Sequence, residues 1–198
     1  MNPILPEAAQ RDLVLASRSQ RRMDILRGLG FEFEILPAGD GVEDSATSQD
    51  PFERPLECAR LKADDVARRR SGALCIGADT VVILDGVALG KPNSDGEAYR
   101  FLRSLSGRTH TVVTGLALRR LSDGLGLSAS ERTDVRFRDL TDGEITRYVG
   151  SGEGRDKAGS YAVQGLGAAL VSSINGCYYN VVGLPVSLLF QLLKKAAA

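Results

Sequence analysis

Tryptophan is missing from the 198 residues, histidine occurs once and cysteine three times. The absent tryptophan excludes nothing. Cys58, Cys75 and Cys177 are odd in number and share no metal-ligand spacing, so free thiols in a reducing cytoplasm are expected rather than a disulfide framework or a cysteine-held metal. The single histidine, His110, has no obvious catalytic companion and reads as a structural donor. An excess of one charge is also lacking, with Lys plus Arg at 25 and Asp plus Glu at 25. That balance excludes a broad phosphate-coating surface for long nucleic acid and leaves room for one local basic pocket. No apolar run approaches the ~20 residues of a membrane span, and the N-terminus lacks the basic-then-apolar order of a signal peptide. Internal repeats, linkers and low-complexity tracts are absent as well.

What is present describes an ordinary globular chain, 43% hydrophobic and 25% charged. At this length one domain is the default, and roughly 70% of the unfolded chain's surface can be buried. Residues 1–10, with Pro3 and Pro6, read as a disordered lead-in, and 11–198 as one domain.

The chain is organised around Leu74–Leu84, which is apolar on both parities, as in a strand covered on both faces. Asp79 interrupts it. A carboxylate there stays ionised only beside a cation or several donors, so Asp79 is either a satisfied structural residue or a catalytic or metal-binding one. Asp85-Gly86 then predicts a type I′ hairpin. A regular ladder beyond that turn would place Lys91 opposite Thr80, on the other face from Asp79. We therefore expect Gly90 and Pro92 to break the register.

Upstream, the strand Leu13–Ala16 runs into Ser17-Arg18-Ser19-Gln20-Arg21-Arg22 and a helix stopped by Gly30. With Ser19 as N-cap, Arg21 and Arg22 fall in the first turn, the wrong end for cations. An anion, most plausibly a phosphate, gathered by Ser17, Ser19 and the two guanidinium groups would relieve that conflict; a solvated Arg pair is the alternative. Phe31–Leu36 alternates as a strand. A helix from Pro55 to Gly72 buries Leu56, Ala59, Ala63 and Val66, with Lys62 at the edge of that stripe, either snorkelling or aimed into a pocket.

Ser94 with Glu97, and Thr141 with Glu144, predict capping boxes. Thr109–Arg119 and a segment ending at Arg138 are strands, as is Tyr161–Ile174, and an amphipathic helix closes the chain. Between them, Gly150–Gly159 is dense in glycine and charge, as functional loops are. Asp79, Glu153 and Asp156 together with Lys62, Lys91 and Lys157 make up the parts for metal-assisted cleavage of a phosphoanhydride. A divalent cation, Mg or Mn, would sit on the carboxylates and basic groups would steady the leaving pyrophosphate.

From about Leu13 to Leu193 the chain resembles the Maf (septum formation protein) family. The likeness is carried by Leu15-Ala16-Ser17-Arg18-Ser19-Gln20-Arg21-Arg22, Gly77-Ala78-Asp79-Thr80-Val81-Val82, Gly90-Lys91-Pro92, Asp156-Lys157-Ala158-Gly159-Ser160-Tyr161, Gln164-Gly165 and Asn180–Pro185. The resemblance implies an α/β fold, a mixed twisted sheet with flanking helices in two lobes around a deep cleft. It also implies hydrolysis of nucleoside triphosphates to monophosphate and pyrophosphate, a divalent metal, a cytoplasmic location and a homodimer. Asp79 falls on the family's proton acceptor, and Arg21, Thr80 and Gln164 fall on positions tied to substrate choice. The pattern at Thr80 and Gln164 is similar to the branch acting on dTTP and UTP. Alternatives are the sister branch's 7-methyl-GTP activity, or a non-catalytic nucleotide- or RNA-binding regulator of division. The chain departs from the family pattern at Gln20, usually Pro, and at Glu57, usually Arg. The nearest match to the family's Asp-Glu pair is Glu43-Asp44.

Overall fold

Apolar residues on both parities of Leu74–Leu84 give a strand (β3) whose first five side chains are all buried. Around it the computed structural model, which describes residues 2–198, places β1 (Leu13–Leu15), α1 (Gln20–Gly28), β2 (Glu34–Ile35) and α2 (Arg54–Arg69) before it. Then follow β4 (Val87–Leu89), α3 (Asp95–Leu105), β5 (Thr109–Arg120), β6 (Leu125–Phe137), α4 (Asp142–Ser151), β7 (Val171–Asn175), α5 (Tyr178–Val182) and α6 (Val186–Ala196). The strands form one seven-stranded sheet in the order β2-β1-β3-β5-β6-β7, with β4 paired to β3. It is mixed: β1 lies parallel to β2 and β3, whereas β3–β4 and β6–β7 are antiparallel. This is the α/β class expected, with flanking helices.

Two compact units divide the chain. The first holds the residues up to Asp79, Thr114–Glu131 and Gly183–Ala198; the second holds Thr80–Val113 and Arg132–Val182. In the first, α2 packs on the sheet through its smallest residues, with Ala59, Ala63 and Ala117 in one buried cluster. Backbones meet there. A Cβ on Gly77 would lie 2.1 Å from the Ala59 carbonyl, and one on Gly115 would lie 2.3 Å from the Pro55 carbonyl. Residues 2–10, expected to be disordered, are instead tied down. The Asn2 amide donates to Gln10 Oε1 at 2.7 Å, Gln10 Nε2 returns to the Asn2 carbonyl at 2.8 Å, and Asn2 Nδ2 reaches the Leu29 carbonyl at 2.6 Å. The predicted strand Phe31–Leu36 shortens to Glu34–Ile35 because Phe31 turns inward, edge-on to Phe190 at 5.8 Å.

The second unit is built on Phe137, Leu102, Leu105, Val112 and Ile145. Its hairpin has the expected two-residue turn: Leu84 pairs with Val87, and Asp85 and Gly86 have φ of 51° and 79°. Pairing ends at Leu89, so Lys91 lies outside the ladder, as the break at Gly90 requires. The Thr141–Glu144 capping box forms in full. The other forms by half: Ser94 accepts the Glu97 amide, but the Glu97 carboxylate turns to the Asn93 amide at 2.7 Å. Nor is Tyr161–Ile174 one strand. Gly165–Leu170 coils into a 3-10 turn and only Val171–Asn175 pairs.

His110 is buried in this unit, its Nε2 at 2.7 Å from the Tyr161 hydroxyl and its ring edge-on to Phe137. Burial lowers its pKa to about 4, with Asp134 opposing the shift. The unfolded chain binds this proton first, at about pH 6.5, while the folded chain resists it down to about pH 4. Stability is therefore expected to fall by about 3 kcal/mol as pH drops through that window. His110→Gln should remove most of that slope, which urea unfolding at pH 7 and pH 4.5 would reveal. The three cysteines are free thiols; Cys58 and Cys75 are buried, and burial raises the pKa of each to about 11.

Candidate active site

In the first unit the chemistry converges on one ammonium group. Helix α2 lies so close on β3 that Lys62 reaches Asp79, its Nζ donating to Oδ1 at 2.7 Å. The same Nζ lies 2.9 Å from Glu43 Oε1, and the Lys62 side chain keeps only 12% of its exposure. Lys62 thus does not snorkel; its ammonium group is the cation paired with the Asp79 carboxylate. Among the described residues Asp79 Oδ2 takes no donor, leaving that oxygen for a ligand or a water. Glu43 belongs to the site, an assignment that the sequence left open. Glu57 holds the loop that follows Glu43, accepting the Thr47 amide at 2.9 Å and the Ser48 amide at 2.8 Å. The departure at Glu57 is therefore absorbed locally.

The Ser17–Arg22 turn follows β1, where the Ala16 amide donates to the Ile76 carbonyl beside β3. Ser17 Oγ accepts the Ser19 amide at 3.2 Å and Arg22 Nη1 at 3.1 Å, while Arg22 Nε donates to the Gly183 carbonyl at 2.8 Å. Arg22, expected as a substrate contact, points inward and braces the turn. Burial lowers its pKa; Asp79 opposes this, Arg21 adds to it and Glu43 opposes it. Ser19 occupies the N-cap position, as expected, but its hydroxyl caps no helix amide. Both lone pairs of Ser17 Oγ are engaged, so its own hydrogen can point outward to an anion. Arg21 is half-buried in the first turn of α1, the end of a helix whose free amides attract anions.

In the second unit Thr80 follows Asp79 within β3, Lys91 is exposed, and Lys91 makes no hydrogen bond or ion pair among the described residues. Lys157 is already engaged: its Nζ donates to the Glu153 carbonyl at 2.5 Å and to Asp156 Oδ1 at 2.6 Å. Glu153 is more fully occupied still. Its oxygens accept the Leu166 amide at 2.9 Å, the Gly167 amide at 2.8 Å and the Tyr148 hydroxyl at 2.8 Å. Burial alone would raise its pKa, but those bonds and Lys157 outweigh burial and hold it below the usual carboxyl value. Gln164 is exposed at the start of the 3-10 turn. Tyr148 lies in α4, five residues before the Glu153 that it bonds.

Among the described residues no three His, Cys, Asp or Glu side chains form a ready-made metal cage. The expected trio is divided, with Asp79 in one unit and Glu153 and Asp156 in the other. Magnesium-like ions commonly need only one or two carboxylates, with substrate phosphates and water completing the shell. The unengaged oxygen of Asp79, with Glu43 on the same ammonium, fits that kind of ion better than the fully engaged Glu153 does.

The chain belongs to the Maf-like protein family, whose model matches residues 12–196. It is similar to the dTTP/UTP pyrophosphatase of Thermoanaerobacter sp., 44% identical over 184 residues covering 92% of this chain and 95% of that protein. It is also similar to the dTTP/UTP pyrophosphatase of Deinococcus radiodurans, 43% identical over 192 residues covering 97% and 96%. The fold is shared with the Staphylococcus aureus Ham1 protein, at a TM-score of 0.54 and 16% identity over 93% of this chain and 98% of that one. No helix among the described residues is long and apolar enough to cross a membrane.

Proposed function

We propose that this protein is a nucleoside triphosphate pyrophosphatase that hydrolyses dTTP and UTP, modified nucleotides included, to the monophosphate and pyrophosphate. The observation that carries this proposal is the Lys62–Asp79 pair at 2.7 Å, in the same unit as a basic, hydroxyl-rich helix start. The names of the relatives support the choice of dTTP and UTP. Arg21, Ser17, Ser19 and the first amides of α1 bind phosphate oxygens, and Lys91 adds an exposed cation for the triphosphate. Asp79 accepts the proton of the water that attacks the α-phosphorus, or would instead hold a bound divalent ion. The α–β bond then breaks and pyrophosphate leaves with its charge met by Arg21, Lys62 and Lys91.

A bound divalent ion, Mg or Mn, would be held by Asp79 with Glu43, supplying Lewis acidity and neutralising phosphate charge. Gln164 and Thr80 read the base. An amide offers a donor and an acceptor, the complement of the uracil or thymine edge. Three free thiols support a cytoplasmic enzyme. The family resemblance supports a homodimer, which sedimentation would check.

The test is pyrophosphate release from dTTP, UTP, CTP and 7-methyl-GTP, with Mg, with Mn and after chelation. dTTP and UTP are expected to turn over at least about tenfold faster than the other two, and chelation should reduce release to background. Preference for 7-methyl-GTP would assign the sister activity. Nucleotide binding without release from any of the four would favour the regulator.

A further inference from the structure

The turn that carries Gln164 is held from behind by two side chains. Glu153 Oε1 accepts the Leu166 amide at 2.9 Å, and Oε2 accepts the Gly167 amide at 2.8 Å and the Tyr148 hydroxyl at 2.8 Å. The Tyr148 oxygen accepts the Ala162 amide at 3.1 Å. Backbone on both sides of Gln164 is thereby pinned to α4 and the residues that follow it. Gly165 turns through φ of 63°, and a Cβ there would lie 2.2 Å from Glu153 Oε1, so the carboxylate and the turn fit against each other directly. Bonds from amides to a charged acceptor are among the stronger ones, and a carboxylate with three donors is a rigid anchor.

We propose that Glu153 and Tyr148 are positioning residues that set nucleobase selectivity, fixing the Ala162–Gly167 backbone so that Gln164 presents its amide in one orientation. The proposal rests on Gln164 as the base reader. Cytosine reverses the donor and acceptor of the uracil edge, and a loosely held glutamine amide can rotate to serve either. Discrimination therefore needs the turn held in place, which neither the helix pattern nor the base-contacting residue supplies by itself. Glu153 does this without touching the nucleotide or the cation.

Tyr148→Phe removes the hydroxyl and keeps the ring in the core; Glu153→Gln puts an N–H where an amide needs an acceptor. Both are expected to lower the kcat/KM preference for dTTP over CTP by about tenfold, chiefly through a higher KM for dTTP. The magnesium concentration giving half activation should stay within about twofold of wild type, since neither residue is placed on the ion. Amides 162–167 should exchange with deuterium faster in both variants without nucleotide present.

The proposal is overturned if neither variant changes selectivity. It is equally overturned if Glu153→Gln raises the magnesium requirement and lowers kcat on every nucleotide while Tyr148→Phe behaves as wild type, for then Glu153 serves the cation. Should Glu153→Gln fail to fold, Tyr148→Phe alone decides. Wild-type protein that releases no pyrophosphate would instead refute the enzymatic function, and the exchange of 162–167 would still judge the anchor.

Discussion

Asp79→Asn is expected to reduce pyrophosphate release from dTTP by about a thousandfold while dTTP binding changes by less than about threefold. The substitution is nearly isosteric, and the amide oxygen can still accept from Lys62 Nζ, so the contact at 2.7 Å survives in neutral form. What disappears is the negative charge. An amide neither accepts a water's proton nor draws a divalent ion, and both roles open to Asp79 end together. The groups proposed to bind phosphate, Arg21, Ser17 and Lys91, are untouched, which is why affinity and turnover should separate. Single-turnover release and equilibrium titration with dTTP measure the two independently. A variant releasing pyrophosphate at the wild-type rate would remove Asp79 from the chemistry.

Gly77→Ala is expected to be strongly damaging to the first unit. The added Cβ would sit 2.1 Å from the Ala59 carbonyl and 2.8 Å from the Ala63 amide, both main-chain atoms of α2. No rotamer can relieve a clash with backbone, so α2 must move off β3. A cost of at least about 3 kcal/mol is expected, lowering Tm by about 6–12 °C in a chain of this size. The same displacement carries Lys62 away from Asp79, so activity should fall further than the loss of folded protein explains. Gly150→Ala is the control: Gly150 lies in α4 and a Cβ there meets nothing within 4 Å. It should leave Tm unchanged or raise it slightly. Thermal denaturation of the two variants in parallel tests the contrast.

Much of this was legible beforehand where a local pattern has a local cause. The Asp85-Gly86 turn requires two positive φ values, and a dipeptide that tolerates them declares itself. The Thr141–Glu144 box is closed within four residues. The end of the ladder before Lys91 was foreshadowed by Gly90 and Pro92. Reading failed where a side chain chose a partner other than the one its local pattern offers. Glu97 prefers Asn93 to the cap of its own helix, and Phe31 leaves a strand pattern for Phe190. Tyr161–Ile174 lost its continuity because Glu153 captures the amides of Leu166 and Gly167, which a strand would need for its ladder.

By itself the sequence determined the α/β class, the buried strand interrupted by Asp79, the basic helix start at Arg21 and the family those stretches define. Each depends on periodicity, turn chemistry or adjacent residues, which act over a few positions of chain. Only the tertiary structure decided which charge answers which: Lys62 on Asp79 and Glu43, Arg22 turned inward to Gly183, and Glu153 spent on the Gln164 turn. Those pairings span 10 residues or more of sequence, and many cations and carboxylates could have met on composition alone. The selection is made by packing, above all by two glycines that let α2 approach the sheet closely enough for one lysine to reach its aspartate.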